Sequence, residues 1–300
     1  VNNPAKWIGG LAKWIESDTV YLSVAFTWKI DEAYAHAAWA KNAGFKVKAG
    51  GPALFLPSIN DILRPVAEVP ASNVGISPDA VMNHNPAATI ASRGCPVGCY
   101  FCIVPKMEGA AFTLLPDFPV RPILCDNNLS ALPIEYQKHI VKRYESEQVP
   151  LLDANSGFEP MTFSDEVFSI WKPINRGPWR FAYDELKERT EVLRVMKMLS
   201  GESSKRKRVY VLIGNEPLEG CMQRIREVIE NGCEPHVQPY IKLNALQREP
   251  HVQHDWTPQL LSDVARWANR FLWKYTPFET YDRSKRTGPP EYDEQQGLFV

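Results

Sequence analysis

Cys95, Cys99 and Cys102 fall within eight residues of one stretch, SRGCPVGCYFCIVPKMEG (92–109), in a C-x3-C-x2-C spacing. Thiolates this close are soft donors for zinc or for an iron–sulfur centre. A structural zinc site takes four ligands, commonly as two close pairs. Here the other cysteines, Cys125, Cys221 and Cys233, stand singly and read as small buried hydrophobes. A redox C-x2-C needs two thiols and a different setting. Three thiolates with no near fourth suit a 4Fe–4S cluster that leaves one iron open to a substrate or cofactor.

The elements that must position these thiols alternate along the chain. TVYLSVAF (19–26) reads as a strand. IDEAYAHAAWAKNAGF (30–45) reads as a helix, with Ala33, Ala37 and Ala40 on one face, and KVKAGG (46–51) as a second strand ending in a glycine turn. Together they make one βαβ unit. Residues 58–81 read as a connection. Strands are then expected at 87–92, 120–125, 150–155, 179–183, 208–214 and 236–241. The expected helices cover 133–148, 164–171, 184–199 and 218–232, with Ser164 and Asp184 as N-caps and Gly232 as a stop. This order predicts an α/β fold, a partial (β/α)6 parallel barrel whose chemistry sits at the carboxyl ends of its strands. The βαβ unit (1–85) precedes the barrel (86–245), and an aromatic helix over 257–278 and a loosely docked tail form the last part (246–300).

TIASRGCPVGCYFC, with Phe101 before the last cysteine of the loop after the first barrel strand, resembles the signature of the radical S-adenosylmethionine superfamily. It is most similar to the branch that carries an N-terminal cobalamin-binding domain, and the βαβ unit resembles a truncated form of that domain. The Asp-x-His-x-x-Gly pattern of such domains is absent, so cobalamin is not an expected cofactor. The resemblance covers about residues 19 to 245.

The resemblance implies that Cys95, Cys99 and Cys102 ligate the cluster and that its open iron chelates S-adenosylmethionine. Reductive cleavage then yields a 5′-deoxyadenosyl radical that abstracts hydrogen from the substrate. Asp126, Asn127 and Asn128 after the second strand correspond to the motif that holds the methionine ammonium; an Asx-turn opening the next helix is the alternative. Asn155 and Ser156 after the third strand suit the ribose or carboxylate. Arg180 in the fourth strand either faces an anion or pairs outside with a helix carboxylate. Gly214, Asn215 and Glu216 after the fifth correspond to the adenine region, with a plain strand-to-helix turn as the alternative.

Tyr183, His236 and Tyr240 are candidates to act on the substrate, with Gln238, Lys242, Asn244 and Tyr100 as further lining. His84, His251 and His254 read as surface or locally paired histidines. Trp256, Trp267, Trp273 and Tyr275 could cap the mouth, but such aromatics are more often simply core.

A formal net charge of −1 excludes a global field that would draw the chain to nucleic acid or an anionic membrane. Local basic runs, SSKRKR (203–208) and RSKR (283–286), and aromatics able to stack on bases place nucleotides or nucleic-acid bases ahead of peptides as substrates. The expected partner is a reductant such as flavodoxin or ferredoxin. No run approaches the ~20 apolar residues of a membrane span, and VNNPAKWIGG lacks the order of a secretory signal, so a cytoplasmic location is expected. The rival readings are a cobalamin-dependent radical methyltransferase, a peptide-modifying radical enzyme, and a non-enzymatic iron–sulfur or zinc module.

Overall fold

The computed structural model describes residues 8–69, 78–155, 157–285, 292–293 and 298–299. The chain is mixed α/β and divides into two compact units, Val1–Arg180 with Ile241–Glu249, and Phe181–Tyr240 with Pro250–Val300.

In the first unit β1 (Leu11–Glu16) and β2 (Thr19–Val24) form an antiparallel hairpin, with Leu11 opposite Val24. β1 is not announced by the sequence, because Lys13 and Glu16 interrupt its apolar residues. α1 (Ile30–Asn42) buries Ala33, Ala37 and Ala40, small side chains that let the helix lie close on the sheet. β3 (Lys46–Gly50) then pairs parallel to β2, as the βαβ pattern requires. The segment expected to be a connection holds α2 (Pro57–Leu63) and α3 (Pro78–His84). Residues 241–249 return to this unit, where the Thr27 hydroxyl donates to the Ala245 carbonyl.

β4 (Ala88–Thr89) and β5 (Ser92–Arg93) divide the strand expected over 87–92. The cysteine loop follows, with α4 (Val104–Glu108) inside it, and β6 (Thr113–Leu114) closes the loop by pairing antiparallel with β5. β7 (Ile123–Leu124), α5 (Ile134–Glu147) and β8 (Asp153–Ala154) complete a three-stranded sheet in the order β4-β7-β8, parallel throughout. α6 (Asp165–Trp171) starts where expected: the Ser164 hydroxyl accepts the Val167 N–H at 3.2 Å. β9 (Trp179–Ala182) carries the chain onward. Behind the sheet, Phe158 lies 5.6 Å from Trp171 and 5.3 Å from Trp179, ring centroid to centroid.

The second unit contains α7 (Arg189–Met198), β10 (Lys207–Ile213), α8 (Leu218–Glu230), β11 (Glu234–Pro239) and α9 (Pro258–Asn269). Its sheet runs β11-β10-β9, and β10 and β11 are parallel. Val209, Val211 and Ile213 alternate inward to meet Ile225 and Val228 of α8 and Leu261 and Val264 of α9 in one core.

Two expectations are corrected in this unit. The helix expected over 184–199 begins as a 3-10 turn (Leu186–Glu188) capped by Glu185 in a reciprocal capping box with Glu188, and α7 proper starts at Arg189; the Asp184 carboxylate instead accepts the Leu212 N–H at 3.1 Å. The helix expected over 257–278 ends at Asn269, where Phe271 adopts a left-handed conformation (φ 57°) and short 3-10 turns follow. Aromatic spacing continued the helical pattern past the point where the chain turns back.

Candidate functional site

The parallel register of β4, β7 and β8 brings three loop starts to one sheet edge. The Cys125 N–H donates to the Thr89 carbonyl (2.8 Å) and the Asn155 N–H to the Leu124 carbonyl (2.9 Å). The cysteine loop, the 125–128 segment and the turn after Ala154 therefore leave from the carboxyl side of adjacent strands, where loops of parallel sheets gather ligands.

The loop is closed by more than its β5/β6 bridge. The Tyr136 hydroxyl donates to the Ala91 carbonyl at 2.6 Å and accepts from the Leu115 N–H at 3.0 Å, stapling both arms to α5. Burial of that phenol pushes its pKa up to about 12, so it stays a donor. Inside the loop, the Cys102 N–H donates to the Cys99 carbonyl (3.0 Å) and the Val104 N–H to the Cys102 sulfur (3.4 Å). The Asn128 amide points its N–H at the Cys95 sulfur, 3.9 Å away. Phe101 packs edge-on to Tyr100, with 5.0 Å between centroids. The three thiols are half-buried. Among the described residues no set of three or more His, Cys, Asp or Glu side chains is drawn together as a metal site. The thiols thus share a closed loop without converging on one centre.

Asp126, Asn127 and Asn128 separate into three roles. Asp126 is fully buried and turns inward, accepting from the Ala91 N–H at 2.8 Å and from the Ser92 hydroxyl. Asn127 donates to Glu108 and, at 3.3 Å, to the Gly94 carbonyl. Asn128, besides reaching Cys95, accepts from the Ala131 N–H (3.2 Å) and the Ser130 hydroxyl (3.3 Å), closing a turn that lies ahead of α5 and does not cap it. Asn155 reaches the Cys125 sulfur at 3.9 Å, and burial pushes the Cys125 thiol up. Ser156 lies outside the described residues. Arg180 is held by two parallel bonds to Asp153, at 2.7 and 2.8 Å. The anion it meets is thus a carboxylate on strand β8 and not one on a helix.

Burial raises the Asp126 carboxyl from 3.8 to about 6, against the opposing pull of its hydrogen bonds and of Arg93. An acid whose pKa is raised on folding binds its proton longer in the folded state, so stability falls as pH rises from 3.8 toward 6 and is level above. A shift of about two units corresponds to about 3 kcal/mol. Asp126→Asn is accordingly expected to gain about that much on the wild type between pH 4 and pH 7. Urea unfolding at both pH values checks it, and an unchanged difference would contradict the burial of a titrating carboxylate.

In the second unit the residues matched to adenine are engaged by the chain itself. Gly214 has φ +87°, and a Cβ there would meet Leu261 Cδ2 at 3.1 Å and the His251 carbonyl oxygen at 3.4 Å. The Asn215 side-chain amide donates to the Asp184 carbonyl at 2.8 Å, while the Asn215 backbone carbonyl accepts from Gln253 and His254. Glu216 accepts from the Leu186 N–H (3.2 Å) and pairs with Arg224 at 3.2 Å. Tyr183 is fully buried in the core, donating to Glu227 at 2.8 Å, and burial raises its pKa. His236 stands edge-on to Tyr210 and Tyr240 edge-on to His251. Trp256 and Trp267 belong to the core.

The basic run is largely matched: Arg206 pairs with Glu202 (3.0 Å), Arg208 with Glu234 (3.5 Å), and Lys207 is buried. In RSKR, Arg283 pairs with Asp263 and Lys285 with Asp282. No helix among the described residues is long and apolar enough to cross a membrane.

Sequence reasoning missed Arg93, Glu108 and Arg224. The first two lie within the cysteine stretch, but a single charged residue in a loop carries no pattern that marks it as buried. Arg224 sits on the inner face of α8, and its only signal was a cation at an apolar position of the helical repeat. No family model matches this chain, and no curated protein matches it.

Proposed function

We propose that the chain is a radical S-adenosylmethionine enzyme that holds a 4Fe–4S cluster on Cys95, Cys99 and Cys102. In this reading it cleaves S-adenosylmethionine reductively and takes a hydrogen atom from its substrate with the 5′-deoxyadenosyl radical. The observation that carries the reading is a closed three-cysteine loop at the carboxyl edge of a parallel sheet, beside the loops after β7 and β8. The strand-and-helix alternation from β4 through β11 supports the (β/α)6 partial barrel that belongs with it.

The donor set fits the group by its chemistry: three thiols, two of whose sulfurs receive N–H groups from Asn128 and Val104. N–H groups of this kind are the usual surroundings of a metal-bound sulfur. Cysteine sites rarely exist complete before the metal arrives, so gathering of the three sulfurs and metal binding are one event in a loop whose base is already closed. When bound, a cluster with one open iron supplies the electron for cleaving the sulfonium cofactor. The chain's own part is to hold the thiolates, to keep Asn128 beside Cys95, and to shut the loop's base against water through Tyr136 and β5/β6.

For the cofactor's polar groups, the edge after β7 and β8 offers Asn127, Asn128 and Asn155 in place of Asp126, whose two oxygens face inward. Pairing of the basic runs favours a small nucleotide-like molecule over a nucleic-acid polymer.

Anaerobic reconstitution with iron and sulfide, reduction with dithionite and assay of 5′-deoxyadenosine test the reading. The wild type is expected to show the cluster's absorbance and form the product, and a folded Cys95/Cys99/Cys102→Ala triple variant neither. Uptake of zinc with no cluster would replace the enzyme by a metal-binding module.

A further inference from the structure

Glu108, the last residue of α4, has a side chain only 3% exposed. A carboxylate is buried at large cost unless charge and hydrogen bonds are returned to it, and here three groups do so. Arg93, itself 12% exposed, forms an ion pair with one oxygen. The other oxygen accepts the Gly94 N–H at 2.9 Å and an N–H of the Asn127 amide. These partners come from the start of the cysteine loop and from the segment after β7, so one side chain ties three pieces of chain together.

What it ties is the backbone on which Cys95 stands. The Gly94 N–H is held by Glu108 and the Gly94 carbonyl by Asn127, and the Cys95 N–H donates to the Gly109 carbonyl at 3.4 Å. Gly94 has φ +87°, and a Cβ there would run into the Ala111 carbonyl. The path of the chain into Cys95 is therefore specified from both sides. Asn127 is also the neighbour of Asn128, whose amide meets the Cys95 sulfur. Cys99 and Cys102 sit differently, sharing a local turn closed by the Cys102 N–H and the Val104 N–H.

We infer that Glu108 is the positioning residue of the cysteine loop, a buried carboxylate that places Cys95 and its amide partner Asn128 ahead of metal capture. It acts through the backbone of Cys95, by way of Gly94 and Asn127. A carboxylate suits the position because it only accepts: it serves two N–H donors and a guanidinium at once. A glutamine would turn an N–H toward Arg93 and keep one acceptor for the rest. The consequence for metal capture rests on the iron–sulfur reading above; the placing of Cys95 does not.

The test uses the full-length, metal-free chain with its thiols reduced. Iodoacetamide is added, and alkylation of each cysteine is followed by peptide mass in the wild type, E108Q and E108A. Cys221 and Cys233, buried in the other unit, serve as internal references. Hydrogen bonds to a charged group are the strong ones, so losing the carboxylate is expected to speed Cys95 alkylation about tenfold or more. Cys99 and Cys102 should change far less, the references not at all, and E108Q should fall between. In parallel, iron bound per chain after reconstitution should drop in the same order.

An unchanged Cys95 rate in both variants overturns the inference. So does a rise shared equally by all cysteines, which would mean general loosening of the fold. If E108A does not fold, E108Q decides by the same selectivity. If the wild type itself binds no iron, the enzyme reading fails while the alkylation pattern still decides the role of Glu108.

Discussion

Arg224→Met is expected to lower unfolding stability by about 3–5 kcal/mol, the range for breaking a buried ion pair from one side. Arg224 is fully buried within α8. Its guanidinium donates to the carbonyls of Tyr183 and Leu212 and to the Cys221 sulfur, and pairs with Glu216 at 3.2 Å. One side chain thus joins the end of β9, strand β10 and the turn that opens α8. Methionine fills the space but leaves two carbonyls without this donor and the Glu216 carboxylate without its cation, with the Leu186 N–H still bound to it. Lysine keeps the charge and lacks the planar fork that reaches both carbonyls, so Arg224→Lys should recover only part of the loss. Adding Glu216→Gln to Arg224→Met should return part of it too, because the stranded charge is then gone. Urea midpoints of the variants check this, and a loss below about 1 kcal/mol for Arg224→Met would mean that the network is not intact in solution.

Gly157→Ala is expected to be comparably damaging, and far more so than Gly214→Ala. Both glycines have positive φ, +81° and +87°, where an L-residue is strained; that alone costs roughly 1–2 kcal/mol. They differ in what a methyl group would strike. At Gly157 it would lie 2.5 Å from the Arg180 carbonyl oxygen and 2.9 Å from its Cβ, backbone and near-backbone atoms that cannot step aside. The same carbonyl accepts the Phe158 N–H at 2.9 Å, so pushing it away also breaks that bond. At Gly214 the nearest atom is the end of the Leu261 side chain, at 3.1 Å, which can rotate. A total near 3–4 kcal/mol is expected for Gly157→Ala and about 1–2 kcal/mol for Gly214→Ala. Thermal or urea unfolding ranks the two, and equal losses would refute the steric account at Gly157.

Where an element is decided by its own residues, the sequence was sufficient. The alanine face of α1, the Ser164 cap of α6, the parallel βαβ unit and the inward alternation along β10 all follow from spacing within a few residues. The closely spaced cysteines stood out for the same reason, by spacing and residue type alone. What each polar side chain faces was decided elsewhere. Asp126 meets Ala91 and Ser92, Asn127 meets Glu108, Arg180 meets Asp153, and Glu216 meets Arg224. Apart from that last contact, within the start of α8, these partners lie from 19 to 35 residues away along the chain. Residue type shows that a carboxylate or amide needs a partner; only the packing of strands and loops determines which one it finds. A buried polar group takes the nearest complementary atom in space, and nearness in space is set by tertiary structure.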